Sequence, residues 1–434
     1  SVLISAYTHS AVDNICEKLI KNSRNRGEPL NMLRTGVLSK IRPLVQQYCI
    51  YSENYRHEIK NSDEFQKTID QCPIVATTCL GISDIVFGMG KKFDYCIIDE
   101  ASQVTLPIVL GPIAMADKFV LVGDHFQLPP LVLHPEAKAE GLDLSLFQIL
   151  NDSHPENVIE LTNQYRMCAD IMSLSNELIY DGRLKCGSEV VAAQKLIIPN
   201  ITELPIAGTY VERLLEPERR VIFVNEDEVP TIHEISSNDK IENPGEAKVI
   251  NTLIKTMLAG GINQEDIGVM SFYKAQMRHF FTALSKFKDL EILTADRFQG
   301  RDKDVIIISL VRTEVIGELL KEWRRVNVAI TRARCKLIIF GSKKLLDGFE
   351  QFEGFMEMIE NNGWSYNLTK EDVQGISMLD HKLDVILTSI YGTQNESSTH
   401  AFADESQQNS VRRLDLSSRA IRRTKILKYV IDSL

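Results

Sequence analysis

No run in this chain approaches the roughly 20 consecutive apolar residues that a membrane-crossing helix needs. Its opening VLISAY has no basic lead and gives way at once to Thr8 and His9, so no secretory leader is expected. The eight cysteines (Cys16, Cys49, Cys72, Cys79, Cys96, Cys168, Cys186, Cys335) form no CxxC pair, and most have apolar neighbours. That argues against a disulfide framework and against a metal or iron–sulfur site within the chain, and points to buried free thiols in a reducing compartment. Basic residues are outnumbered: 49 Lys and Arg against 59 Asp and Glu leave a formal charge of −10. Bulk charge therefore cannot hold the chain on nucleic acid, although a local groove gripping a single strand remains compatible with it. There is also no G-x-x-x-x-G-K-[ST]: the only Gly-Lys step, Gly90-Lys91, is followed by Lys92. The backbone cradle that usually holds a nucleotide's phosphates is thus missing from the sequence. Because the chain opens at Ser1 directly in an apolar run, it is expected to be a piece of a longer protein, cut just after such a loop and its helix.

A hydrophobic share of 44% with 25% charged residues is that of a globular protein, and 434 residues are enough for two or three domains. Short apolar runs at Val2 to Ala6, Pro73 to Ala76, Tyr95 to Ile98, Phe119 to Val122 and Val158 to Leu161 alternate with helical or irregular stretches. A second series follows at Arg220 to Val224, Asp266 to Ser271, Val305 to Leu310 and Lys336 to Phe340, with helical segments at Gly245 to Leu258 and Lys274 to Lys286. Strands alternating with helices predict parallel sheets wound with helices on both faces, here as two sheets in tandem. The expected division is 1–165, with an inserted helical segment near 40–72, then 166–350, then an extension over 351–434. Gly187 to Glu242 reads as a loop-bearing insertion. From Trp364 the pattern decays toward a low-complexity stretch, Thr393 to Ser410, and a basic tail, expected to be partly disordered.

The chemistry concentrates between Asp94 and Pro130, where one apolar run ends in Asp99-Glu100-Ala101-Ser102-Gln103 and the next in Gly123-Asp124-His125-Phe126-Gln127. Open parallel sheets bind ligands at the carboxyl ends of their strands. There Asp99 can hold Mg²⁺, Glu100 can activate a water, and Gln127 can sense a phosphate, which together make nucleotide-hydrolysing motor chemistry. A single acidic pair at a strand end is common, since carboxylates sit well at helix N-termini; the second strand is what lifts the reading. Thr8, His9 and Ser10 follow the first strand, and Thr77 with Thr78 follow PIVAT. Hydroxyls and backbone N–H groups at helix starts suit phosphate oxygens of a nucleic-acid strand, with helix capping, for instance by Ser10, as the rival explanation.

DYCIIDEASQ, VGDHFQLPP, LTNQYRMCADI, TADRFQGRDKDVIIISLVRT and RVNVAITRARCKLIIFGS, in this order, resemble motifs II to VI of superfamily 1 helicases of the 5′→3′ branch. With SAYTHSAVDNI and VATTCLGISDIVF, they are similar above all to the eukaryotic DNA replication ATP-dependent helicase/nucleases. The resemblance spans Val2 to Ser342 and implies two RecA-like domains, the first incomplete at its N-terminus. It implies Asp99 as a Mg²⁺ ligand, Glu100 as the group polarising the attacking water, and Gln127 at the γ-phosphate. Arg166 and Arg332 would be arginine fingers, a contact worth about 10³ to 10⁵ in rate. Tyr165 would stack on adenine, and Gln299, Gly300 and Asp302 would couple nucleotide state to the strand. Arg334 would either join the nucleotide site or pair beside its neighbour.

The implied cofactors are ATP and Mg²⁺, with any iron–sulfur cluster and nuclease centre upstream of this chain. The implied partners are single-stranded, flap or forked DNA and replication and repair proteins such as a single-strand-binding protein, in the nucleus, with no membrane. The implied roles are Okazaki fragment processing and end resection. An RNA helicase of the nonsense-decay type and an ATPase-dead scaffold remain the alternatives at this point.

Overall fold

The computed structural model describes residues 1–53, 61–83, 90–237, 240–298 and 300–392. Gln299 and the basic tail lie outside them. The described residues divide into two compact units: Ser1–Ala101 with Leu106–Val122, and Ser102–Thr105 with residues 123–392. The division thus falls after Val122, upstream of the boundary expected near residue 165.

The first unit holds β1 (Val2–Ala6), β2 (Met32–Arg34), β3 (Ile74–Thr78), β4 (Phe93–Asp99) and β5 (Ala116–Leu121), all parallel in the order β2-β3-β1-β4-β5. Helix α1 (His9–Arg26) starts where the Thr8 hydroxyl accepts the Ala11 N–H and stops at Gly27, whose left-handed φ of 67° lets its N–H turn back on the Arg24 carbonyl. Its Val12, Cys16 and Ile20, at four-residue spacing, pack with Ile4 and Ala6 of β1. The same face continues across the sheet, because Ile4 pairs with Ile97 and Ile97 with Val120 in register. Beyond α1 it loses its cover: Tyr95 is 44% exposed and Val120 47%. Parallel strands ordinarily carry helices on both faces, so this flank of β4 and β5 is a bare apolar surface among the described residues.

The second unit holds two short strands, β6 (Asn163–Gln164) and β7 (Lys185–Cys186), and a six-stranded parallel sheet. Its order is β12-β11-β13-β14-β8-β15, from β8 (Val221–Asn225), β11 (Ile267–Ser271), β12 (Glu291–Thr294), β13 (Lys303–Ser309), β14 (Ala333–Gly341) and β15 (Ser365–Asn367). An antiparallel hairpin of β9 (Ile235–Ser237) and β10 (Lys240–Glu242) precedes the helix Pro244–Ala259, which Asn243 caps. β13 and β14 are buried almost throughout, jacketed on both sides by apolar clusters.

Several expectations need correcting. Val158 to Leu161 forms no strand; it finds no ladder, and Ile159 and Leu161 stand 88% and 83% exposed. β2, unforeseen because it is only three residues long, takes its place among the five strands of the first sheet. Gly187 to Glu242 is more than a loop insertion, since it buries Leu196, Ile198, Tyr210 and Leu214 in the main core besides supplying β8. The expected extension over 351–434 begins inside the second unit: β15 pairs with β8, and the helix Ile376–Tyr391 packs Ile376, Leu379, Leu383 and Leu387 into the core. Its low-complexity part and basic tail lie outside the described residues. None of the eight cysteines is in a disulfide, and seven are buried. Among the described residues no helix is long and apolar enough to cross a membrane.

Candidate functional site

In the first unit, Asp99 closes β4 on the α1 side of the sheet, level with Ala6. Burial raises its carboxyl above the usual range, against the opposing pull of the Glu100 backbone N–H and the Lys18 charge. Glu100 follows at a φ of 53°, a left-handed conformation that costs a non-glycine residue about 1 kcal/mol or more and is kept only where the surroundings enforce it. The enforcement is visible: the Ala101 N–H is bound to the Val122 carbonyl at 2.9 Å and the Val122 N–H to the Ile98 carbonyl at 2.8 Å. Among the described residues no three His, Cys, Asp or Glu side chains gather to cage a metal. One half-buried carboxylate at a strand end suits Mg²⁺ of the kind that arrives on nucleotide phosphates and keeps most of its own waters.

In the second unit, Arg332 is buried just before β14, its Nε donating to the Val328 carbonyl at 2.9 Å and its Nη2 to Gln127 Oε1 at 3.0 Å. Gln127 in turn donates through Nε2 to Asp124 Oδ2 at 2.9 Å. Asp124 also accepts from the Phe126 N–H at 3.0 Å and from the Tyr180 hydroxyl at 2.6 Å. Asn327 Nδ2 donates to both the Phe126 carbonyl and Tyr180 Oη at 3.1 Å, and the Tyr180 ring meets Phe126 edge-on at 5.7 Å. Arg166 joins from another element, with Nη1 3.3 Å from the carbonyl of Thr331, the residue preceding Arg332. A glutamine and two arginines from three distant stretches of chain are thus locked in one hydrogen-bonded cluster.

Two family models, each described as an AAA domain, match residues 51–135 and 142–344. Over 383 residues the chain is 46% identical to the DNA replication ATP-dependent helicase/nuclease DNA2 of Saccharomyces cerevisiae, covering 85% of this chain and 24% of that protein. Over 381 residues it is 42% identical to the dna2 helicase/nuclease of Schizosaccharomyces pombe, covering 86% and 26%. The human DNA2 helicase/nuclease is 40% identical over 374 residues, covering 83% and 34%. The chain belongs to the DNA2 helicase/nuclease family. It spans about a quarter to a third of the length of these relatives.

Within that family frame, the expected residues sort by position. Gln127, Arg166 and Arg332 come together. Asp99 and Glu100 sit in the other unit, at the carboxyl end of β4. Tyr165 is 69% exposed, its ring set against Gly187, where any Cβ would fall 2.2 Å from the ring; an open aromatic face is what stacking on a base requires. Asp302 and Arg334 pair with each other at 3.0 Å, and Asp304 takes the Arg334 Nε at 2.7 Å. Gly300 adopts a φ of 74°, a turn that favours glycine.

The residues expected to face nucleic acid divide. Thr8 caps α1, as the rival explanation proposed for Ser10, while Ser10 Oγ accepts from Arg42 Nη2 at 2.8 Å. Thr77 is buried and receives the Thr35 hydroxyl at 2.8 Å; Thr78, also buried, holds the Gly81 N–H at 3.1 Å. These two hydroxyls shape the end of β3 from inside.

Sequence reasoning missed Asp124, Tyr180 and Asn327. Asp124 carried a signal, standing three residues before Gln127 in a strand-end turn; the other two carried none. It also missed Glu226 and Glu246, two carboxyls buried together near the carboxyl end of the second sheet. Both Glu226 oxygens lack a donor, while Glu246 Oε2 accepts the N–H of Val311, which is held at a φ of 72°. Burial first, and each other's charge next, raise Glu226 well above the usual range; burial raises Glu246 to about 7. A proton shared between the two satisfies both.

Proposed function

We propose that this chain is the motor part of an ATP-dependent DNA helicase/nuclease that moves 5′→3′ on single-stranded DNA. The observation that carries the reading is the hydrogen bond from Arg332 to Gln127, with Arg166 beside it. Two guanidiniums gather there around one amide, and γ-phosphate transfer needs developing negative charge held by donors already in place. Asp99 would hold Mg²⁺ arriving with the nucleotide, Glu100 would orient and deprotonate the attacking water, and Gln127 would register the γ-phosphate and pass its presence to Arg332. When bound, Mg²⁺ would supply charge neutralisation for the phosphates.

A phosphate cradle must come from residues that this sequence does not contain, and the bare flank of β4 and β5 beside Asp99 is the surface it would cover. The relatives are named for DNA replication; the motif resemblance adds, as part of this proposal, Okazaki fragment processing and end resection in the nucleus, on flap or forked DNA with a single-strand-binding protein. A nuclease centre and an iron–sulfur cluster would lie outside this chain.

The test uses the chain extended to include a phosphate loop. Glu100→Gln should keep ATP and strand binding while DNA-stimulated phosphate release falls by about two orders of magnitude or more, because only the water-activating group is lost. Turnover within a few-fold of the parent, or DNA-stimulated turnover by the 434 residues alone, would remove the reading.

A further inference from the structure

Arg34, the last residue of β2, is fully buried, yet it faces the part of the first unit where β1 gives way to α1. Its Nε donates to Asp13 Oδ1 at 2.9 Å, and Asp13, equally buried, takes the Arg42 N–H on its other oxygen at 2.9 Å. One terminal nitrogen donates to the Thr35 carbonyl, and the other, Nη2, lies 3.1 Å from His9 Nδ1. A guanidinium has donors only. Nδ1 must therefore be the acceptor, and the ring's single proton sits on Nε2. Gly36 makes the arrangement possible: its φ is 131°, and a Cβ there would come within 3.2 Å of His9 Cε1 and 3.5 Å of Arg34 Nη1.

We propose that Arg34 and Asp13 are positioning residues that fix His9 as a neutral N–H donor, through Nε2, to a phosphodiester oxygen of single-stranded nucleic acid. This rests on the proposed reading of the chain as a strand-tracking motor, and it names one contact and what sets it. The charged groups facing His9 are Asp13 on α1, Arg34 on β2 and Lys40 in the turn Leu38–Lys40. Burial, Arg34 and Lys40 lower the His9 pKa, and Asp13 only partly opposes them. A cationic histidine would grip phosphate by charge, tighter in acid and weaker in salt. A neutral donor held by Arg34 gives a contact indifferent to pH across the neutral range, leaving charge-based grip to residues such as Lys40.

The test measures affinity of the 434-residue chain for a labelled oligothymidylate between pH 8 and pH 6, with thermal melting as the folding control. His9→Asn keeps an acceptor toward Arg34 but has no group in the Nε2 position. It should melt as the parent and bind about two- to tenfold more weakly at every pH, the worth of one neutral hydrogen bond. Arg34→Lys keeps the charge beside Asp13 but cannot also reach His9. It should bind more weakly at pH 8 and gain a tightening toward the acid end of the range, because no guanidinium then holds Nδ1 as an acceptor and His9 can take a proton. Adding His9→Asn should abolish that tightening.

If Arg34→Lys does not fold, His9→Asn remains decisive. Parent-like affinity for His9→Asn, or a flat pH profile for folded Arg34→Lys, overturns the proposal. Lys40→Glu separates the two levels. If it weakens binding while the His9 and Arg34 variants do not, the edge carries the strand but Arg34 does not set His9. If all three bind like the parent, the strand does not run along this edge and the motor reading of it fails too.

Discussion

The two parallel sheets were built by the same kind of sequence, yet they end up in opposite states. β13 and β14 lie between apolar clusters on both faces, with Val305, Ile307, Leu337, Ile338 and Phe340 inaccessible. β5 has no buried residue at all, and the flank it shares with β4 exposes Tyr95 and Val120. A strand's composition fixes how well it pairs; whether its faces are covered depends on what lies above and below. The second sheet is a finished core, and the α1 face of the first is finished only where α1 reaches.

The sharpest way to break this comparison is a pair of truncations. Ile338→Ala in β14 should cost about 2–5 kcal/mol in denaturant unfolding of the second unit, the usual range for emptying a closed core. Val120→Ala in β5 should cost less than about 0.5 kcal/mol, as exposed positions do. Comparable losses would show that the β5 flank is covered after all.

The buried acid pair of the second unit offers a pH test. Glu226 and Glu246 have folded pKa values raised above the ordinary carboxyl value, so the folded state holds more protons than the unfolded one in between. The pair's contribution is therefore fully present below the unfolded value near 4.5 and is lost as pH rises through about 7. Glu226→Gln supplies a permanent N–H donor to Glu246, so it should flatten that decline and gain about 1–3 kcal/mol at pH 8. A decline as steep as the parent's would show that the two carboxyls do not share a proton.

A smaller effect is expected at the arginine cluster. Arg332 is buried, so it stabilises the fold as well as serving any transition state. Gln127→Leu would leave Arg332 Nη2 without its amide partner and should lower second-unit stability by about 1–2 kcal/mol. No measurable loss would mean that the pair forms only weakly without nucleotide. Smallest of all, Ile159→Ser with Leu161→Ser should change stability by less than about 0.5 kcal/mol, since both side chains already face water. A larger loss would mean that the run Val158 to Leu161 is covered as a strand would be.

Much of the architecture was legible. Short apolar runs marked β1, β3, β4, β8, β11, β13 and β14, and Gly245 to Leu258 was marked as helical, because local spacing acts within a few residues. Asp99-Glu100 at the carboxyl end of β4 was readable for the same reason. β2 and β15, three residues each, fell below what periodicity can resolve, and VIEL looked like a strand because an apolar run reads the same whether or not a partner strand awaits it.

By itself the sequence determined the alternation of strand and helix, the order of the motifs, and the residue types able to handle a triphosphate and its metal. Only the tertiary structure decided that Gln127 would meet Arg332 across 205 positions, that Asp13 and Arg34 would be sealed together beneath His9, and that two glutamates would share one dry pocket. The physical reason is range. Dihedral preference, capping and amphipathic spacing are settled between neighbours in the chain, whereas burial, which sets hydrogen-bond partners and proton affinities, is settled by whichever distant segment comes to cover a side chain.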